Sequence, residues 1–359
     1  MANISQKILI VQIAGIGDLV LASRGIRAIR NGFPDAELHL ITSTDASPIA
    51  NNYPYVDKVF AFPIRELRKD KSYIYNVLRL LRILRKERYS QIINLYIIGS
   101  LWGAIKMGLL FTCLKSEIKI GHNHKGFGLF INKKIPREIF SNRHYSDAML
   151  DMAVDMGGSP DTKGIEIFSI EKCKEKWRHI FSTQEGKNTL RMIGINPGGD
   201  RCNRRWNPDY FAILADWLVE NFFAQVIILG GPGEEGISCK IESRAKNRLI
   251  NLGGKLTLDE LVYIISRLDL FITNDSGPMH IAAATNTPIV ALFGPEDPII
   301  MRPYTAKEMY RIVQKNIECM ACKNKKFTQH TCLESITPEE VFEECKKILQ
   351  AKKMIIEQT

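Results

Sequence analysis

At 359 residues and a formal charge of +10, the chain is too long for one ordinary domain and fits two of roughly 170 residues each. Hydrophobic residues at 45% and charged residues at 25% exclude a disordered chain and describe a folded one with a sizeable core. "MANISQKILIVQIAGIGD" shows no basic stretch leading into a long apolar run and cleavage site. The expectation is therefore a cytoplasmic protein whose eight cysteines are reduced.

The first element is a strand over "KILIVQI", Lys7 to Ile13. It turns through "AGIGD" into a segment whose apolar residues recur at helical spacing. Pro34-Asp35 ends that helix and "AELHLIT" gives a second strand; "DKVFAF", "YSQIINLY" and "EIKIGH" continue the rhythm of a parallel α/β sheet. Between Arg65 and Arg88 lie nine Lys/Arg against Glu66, Asp70 and Glu87, interleaved with apolar residues. This predicts a basic amphipathic helix over 65–88, suited to an anionic membrane, a phosphorylated glycolipid or nucleic acid, or else a solvated face over a core stripe. The apolar run Leu95 to Cys113 carries Lys106 and three glycines, and reads as a buried or interfacial helix rather than a transmembrane one.

After Gly157-Gly158-Ser159-Pro160 and a polar stretch the pattern restarts. "RMIGINPGG", "AQVIILGGPG", "RLINLGG", "LDLFITNDSG" and "TPIVALFGP" are five apolar strands, each running into a loop of Gly, Pro, Asn or Asp. Helices are expected over 208–222, 235–246, 257–267 and 279–285. Ligands on such sheets sit at the carboxyl ends of the strands, so these loops should carry the chemistry.

Within them, Asp275-Ser276-Gly277-Pro278-Met279-His280, followed by Ala282-Ala283-Ala284, Pro288 and Phe293-Gly294-Pro295, resembles the signature of the heptosyltransferase family, glycosyltransferase family 9. "GIGDLVLASRGIRAIRNGFPDAEL" resembles that family's opening motif, "INPGGDRCNRRWNPDYFAIL" its phosphate-side loop and "LGGPGEEG" its nucleotide-side loop. The resemblance spans most of the chain. It implies an α/β architecture of two Rossmann-like domains facing a cleft, GT-B type, with 1–170 binding the acceptor and 171–359 the donor, the last helix packing back on the first domain. It also implies inverting, metal-independent transfer of heptose from ADP-heptose to the lipopolysaccharide inner core, without a cofactor, at the inner face of the inner membrane. The partners implied are the nucleotide-sugar, a lipopolysaccharide or other glycolipid acceptor and the anionic membrane surface, with no nucleic acid.

In that reading Asp18 is the catalytic base, its bland alternative being a helix cap. Arg204 stands where the family has a lysine, and with Arg201 and Arg205 nearby supplies counter-charge to the leaving diphosphate. Donor contacts fall to Gly198, Ser276, Gly277, Pro278 and Met279, at a helix N-terminus that favours anions. His280 faces phosphate or sugar, or is a core histidine. Asp275 bonds sugar hydroxyls or caps the helix. Glu234, with Glu235 as competitor, suits two ribose hydroxyls. Cys319, Cys322, His330 and Cys332 have zinc-like spacing, but no metal is implied by the resemblance. Two other readings stand beside it: a transferase of the same fold using another nucleotide-sugar, and a nicotinamide-dependent dehydrogenase, which "AGIGD" suggests but which lacks the third glycine of the fingerprint.

Overall fold

Strand β1 (Lys7–Gln12) is a continuous apolar run because both faces of its sheet are covered, and five of its six residues are buried. A computed structural model describes this and the rest of the chain over residues 6–64, 66, 70–135, 142–168, 172–181, 190–315 and 331–357. The chain divides into two compact units, Met1–Phe168 and Ser169–Thr359.

In the first unit, β1 leads through α1 (Ile16–Gly32) to β2 (Glu37–Ser43), α2 (Ser47–Asn51), β3 (Lys58–Phe62), α3 (Ile74–Glu87), β4 (Gln91–Asn94), α4 (Leu101–Cys113), β5 (Ile118–His122), β6 (Lys133–Ile135) and α5 (Tyr145–Asp155). The strands form one parallel sheet in the order β3-β2-β1-β4-β5-β6. Leu80 and Leu84 of α3 and Met107, Leu110 and Phe111 of α4 share one core with Leu9, Val11, Ile41 and Ile92 of the sheet. Helices α1 and α5 pack on each other, so closely that a Cβ at Gly25 would stand 2.7 Å from the Met149 carbonyl oxygen. The same helix is tied to the following segment by Arg27, whose buried guanidinium donates to both carboxylate oxygens of Asp161 at 2.7 and 2.8 Å and pairs with Glu166 at 2.6 Å.

The second unit runs α6 (Lys172–Phe181), β7 (Arg191–Asn196), α7 (Pro208–Phe222), β8 (Ala224–Ile228), α8 (Glu235–Arg244), β9 (Ile250–Asn251), α9 (Leu258–Ser266), β10 (Leu270–Asn274), α10 (Gly277–Ala284), β11 (Ile289–Phe293), α11 (Pro298–Met301), β12 (Tyr310–Gln314), α12 (Thr331–Glu334) and α13 (Pro338–Glu357). Its parallel sheet has the order β12-β11-β10-β7-β8-β9. Counted from its own first strand, this is the order of the first unit, so both sheets reverse direction beside their first strand, between β1 and β4 and between β7 and β10. Val341, Cys345, Ile348 and Leu349 of α13 pack into the core of this same unit.

Several local expectations change. The expected helix over 65–88 is interrupted at Asp70: residues 65 and 67–69 lie outside the described residues, and α3 begins at Ile74 after a 3-10 turn, Lys71–Tyr73, capped by the Asp70 carboxylate, which accepts from Ser72 N at 2.9 Å. The run from Leu95 is helical only from Leu101, because Ser100 caps that helix by accepting from Gly103 N at 3.1 Å. Among the described residues no helix is long and apolar enough to cross a membrane. The edge strands β6 and β12 have no counterpart in the sequence reading. One is three residues long with two lysines and the other carries Arg311, and short charged strands are how sheet edges avoid mispairing.

Candidate functional site

In the second unit the carboxyl ends of β7 and β10 lie side by side, paired from Leu270↔Ile193 to Thr273↔Asn196. Two buried asparagines knit the loops that follow. Asn196 donates to Thr273 Oγ1 and to Ser276 Oγ, both at 3.2 Å. Asn274 donates to the Pro197 and Gly198 carbonyls at 2.9 and 3.0 Å and accepts from Trp206 N at 3.1 Å. Ser276 is the N-cap of α10, but its side chain makes no cap hydrogen bond. The hydroxyl is turned toward Asn196 and Thr273, leaving the amides of the first turn uncapped by it, an arrangement that suits an anion.

Arg204 enters this site from the β7 loop. Its Nη1 lies 3.5 Å from the buried Asp275 carboxylate, and its Nη2 donates to Glu296 in the β11 loop. Its Nε–H is buried and meets no acceptor among the described residues. The fork thus joins two acids that the sequence reading assigned elsewhere or not at all. Asp275 precedes the N-cap instead of occupying it, and the β11 loop is itself fixed by Gln314 Nε2, which donates to the Gly294 and Glu296 carbonyls at 2.9 and 3.0 Å.

Glu234 is built into the frame. Its Oε1 accepts from Gly199 N at 2.9 Å and its Oε2 from Gly231 N at 2.8 Å, while Arg205 donates to the Gly199 carbonyl at 2.8 Å. It therefore ties the β7 loop to the β8 loop, and a carboxylate holding one backbone donor on each oxygen keeps further lone pairs for hydroxyl groups. A Cβ at Gly198 would stand 2.0 Å from the Glu234 carboxylate, so any larger residue there has to push that side chain off its two backbone bonds. Glu235 instead accepts from Gly233 N at 3.1 Å on the surface. Met279 and His280 are buried on α10, and Gly277 and Pro278 form its first turn. Cys319, Cys322 and His330 lie outside the described residues, while Cys332 is buried.

In the first unit Asp18 is neither the tip of its turn nor the N-cap. It is the third residue of α1, and its carboxylate accepts from the N–H of the N-cap Gly15 at 3.1 Å. Gln12, at the end of β1, donates to the Asp18 carbonyl at 3.2 Å and to Tyr145 Oη at 3.3 Å. Burial first and then the charge of Asp18 push the Tyr145 phenol well above its ordinary range. Tyr145 is distant in sequence from Asp18, so nothing local marks it; a polar Gln at the end of an apolar strand was the one visible sign of this cluster. Glu296, directly after Phe293-Gly294-Pro295, was equally visible and went unassigned.

Two Rossmann-order sheets, with an anion-type cradle at the switch point of the second, define a glycosyltransferase-type α/β protein of the GT-B class. The chain belongs to glycosyltransferase family 9, the heptosyltransferases, whose sequence profile matches residues 77–332. It is 26% identical to lipopolysaccharide heptosyltransferase 3 of Escherichia coli K12 over 339 residues, covering 93% of this chain and 95% of that protein. Among solved structures, a glycosyl transferase of family 9 from Veillonella parvula superposes with a TM-score of 0.81 at 23% identity, covering 96% of this chain and 98% of that one. The ADP-heptose lipopolysaccharide heptosyltransferase II of E. coli superposes with a TM-score of 0.74 at 22% identity, covering 97% and 100%.

Proposed function

We propose that this glycosyltransferase moves a heptose from ADP-heptose to the inner core of lipopolysaccharide with inversion at the anomeric carbon. The observation that carries the reading is Arg204, held by Asp275 and Glu296 with a buried Nε–H still to be satisfied, beside the uncapped first turn of α10. A diphosphate brings the oxygens that such a group lacks, and charge-assisted bonds to guanidinium are among the stronger ones. As the sugar–oxygen bond to the diphosphate breaks, negative charge grows on the leaving oxygens, where Arg204 and the Gly277 amide at the N-terminus of α10 stabilise it. Arg201 and Arg205 add to that field, so the chain's own cations supply the counter-charge.

Glu234 meets the ribose through the lone pairs that its two backbone bonds leave, while holding the loops on either side of the nucleotide. Asp18 is the base: the acceptor hydroxyl attacks the anomeric carbon from the face opposite the diphosphate and passes its proton to the carboxylate. The Gly15 N–H bond orients that carboxylate, and Gln12 braces the turn beneath it. The acceptor is a glycolipid, so the protein works at the cytoplasmic face of the inner membrane, where the cations of α3 favour an anionic surface.

Calorimetric titration with a panel of ADP- and UDP-sugars tests the donor assignment. ADP-heptose should bind in the second unit and lose most of its affinity in Arg204→Ala; equal binding of UDP-sugars would move the reading to another nucleotide-sugar.

A further inference from the structure

Helix α4 buries one apolar side and exposes another. Met107, Leu110 and Phe111 face the core, while Leu101, Trp102, Ile105 and Leu109 are 62%, 73%, 44% and 64% exposed. Residues 101, 105 and 109 repeat every four, with 102 beside them, so they form one stripe along the outer side of the helix. An amphipathic helix ordinarily turns such a stripe inward, and a contiguous exposed one marks a surface that something else covers. Helix α3, packed beside α4, adds Tyr75 at 76% exposure and the exposed Ile74, Leu78 and Ile83.

The charge around this stripe has one sign. Between residues 71 and 115 the chain carries eight Lys/Arg and one acid. That acid, Glu87, is already bonded to Lys7 at 2.7 Å and Lys58 at 2.9 Å. Arg79, Arg82, Arg85, Lys86, Lys106 and Lys115 are all exposed. A second copy of this chain meeting the stripe through a two-fold contact would bring the same cations together. An anionic bilayer offers both parts of the complement, phosphates for the cations and acyl chains for the stripe.

We propose that α4 is a membrane-insertion helix: its Leu101–Trp102–Ile105–Leu109 side enters the acyl boundary of an anionic bilayer, and the cations of α3 and Lys106 lie at the headgroup phosphates. This deepens the reading of a glycolipid acceptor and rests on it for its purpose, but its test needs neither donor nor acceptor. The depth reached by an interfacial helix is on the order of 5–10 Å, enough to bury the Trp102 ring.

The test uses vesicles of phosphatidylcholine with one quarter phosphatidylglycerol, with and without brominated acyl chains. Of the four tryptophans, Trp102 is exposed, Trp177 and Trp206 are buried, and Trp217 is half-buried against Phe342 in the second unit, so the blue shift and bromine quenching that Trp102→Phe removes report on α4. Expected are both signals, partition that 0.5 M salt weakens without abolishing, and a partition at least about 30-fold lower in Trp102→Ser/Leu109→Ser, since each large apolar side chain contributes roughly tenfold or more. Trp102→Phe should keep partition and lose the quenching, and both variants should keep the wild-type melting temperature and ADP-sugar affinity. Three results would overturn the proposal: no shift or quenching of Trp102, vesicle binding that salt abolishes and the double variant leaves unchanged, or a dimer in solution that the double variant makes monomeric. Any of these, with ADP-heptose binding intact, would leave the proposed reaction standing.

Discussion

In the proposed reaction Asp18 serves structure and chemistry together, since its carboxylate accepts from Gly15 N in the first turn of α1 and has further lone pairs for a proton. Asn at this position also accepts a hydrogen bond but takes no proton. Asp18→Asn is therefore expected to keep the fold and ADP-sugar binding and to lose transfer by at least ~100-fold. Calorimetry beside a transfer assay checks this, and near-normal turnover would move the base elsewhere. Arg204 sets a second test, since its two terminal nitrogens meet different acids. Arg204→Lys keeps the charge but not the fork and should cost much less transfer than Arg204→Ala. Equal rates for Arg204→Ala and wild type would take Arg204 out of the site.

At the scale of elements, the loops after β7, β8, β10 and β11 form one frame, and Gly198 is where it is tightest. Gly198→Ala drives a methyl into the Glu234 carboxylate, with an expected cost of about 1–3 kcal/mol for overpacking and weaker donor binding. Shortening the acid in Gly198→Ala/Glu234→Ala should recover part of the stability without the binding, which thermal melts and titrations would separate. The glycine turns were legible because Gly, Pro and Asn punctuate sequence locally; what each glycine leaves room for was not, since Glu234 reaches Gly198 across two strands. The stripe on α4 was hidden for a related reason. A helix apolar all round reads as buried, and only packing shows which side the sheet covers.

For the whole molecule, two parallel α/β sheets were readable from alternating strand and helix patterns, and four motifs in order carried the family, while the order of the strands came from the structure. The edge strands β6 and β12 and the Gln12–Tyr145 contact were not readable, because strands of three and five residues carrying charge show too little of a period and contacts between distant segments leave no local signal. The first unit also has an acid-sensitive design. Lys7 and Lys58 draw the Glu87 carboxyl down to about 2, and Arg27 does the same for Asp161. Both folded values lie below the unfolded range near ~4, so this stabilisation is complete above about pH 5 and is lost as pH falls from ~4 through about 2. Each contributes on the order of 2 kcal/mol before solvent screening. Melting temperature should fall steeply over that window, less so in Glu87→Gln, and Arg27→Ala should cost about 1–3 kcal/mol at neutral pH by removing the charged bonds to the half-buried Asp161 and Glu166. The most direct test of the account is mass spectrometry of a heptose-deficient lipopolysaccharide acceptor incubated with the purified protein and a panel of ADP- and UDP-sugars. The account predicts a mass gain of one heptose with ADP-heptose; an acceptor left unmodified by ADP-heptose but extended from a UDP-sugar would contradict it.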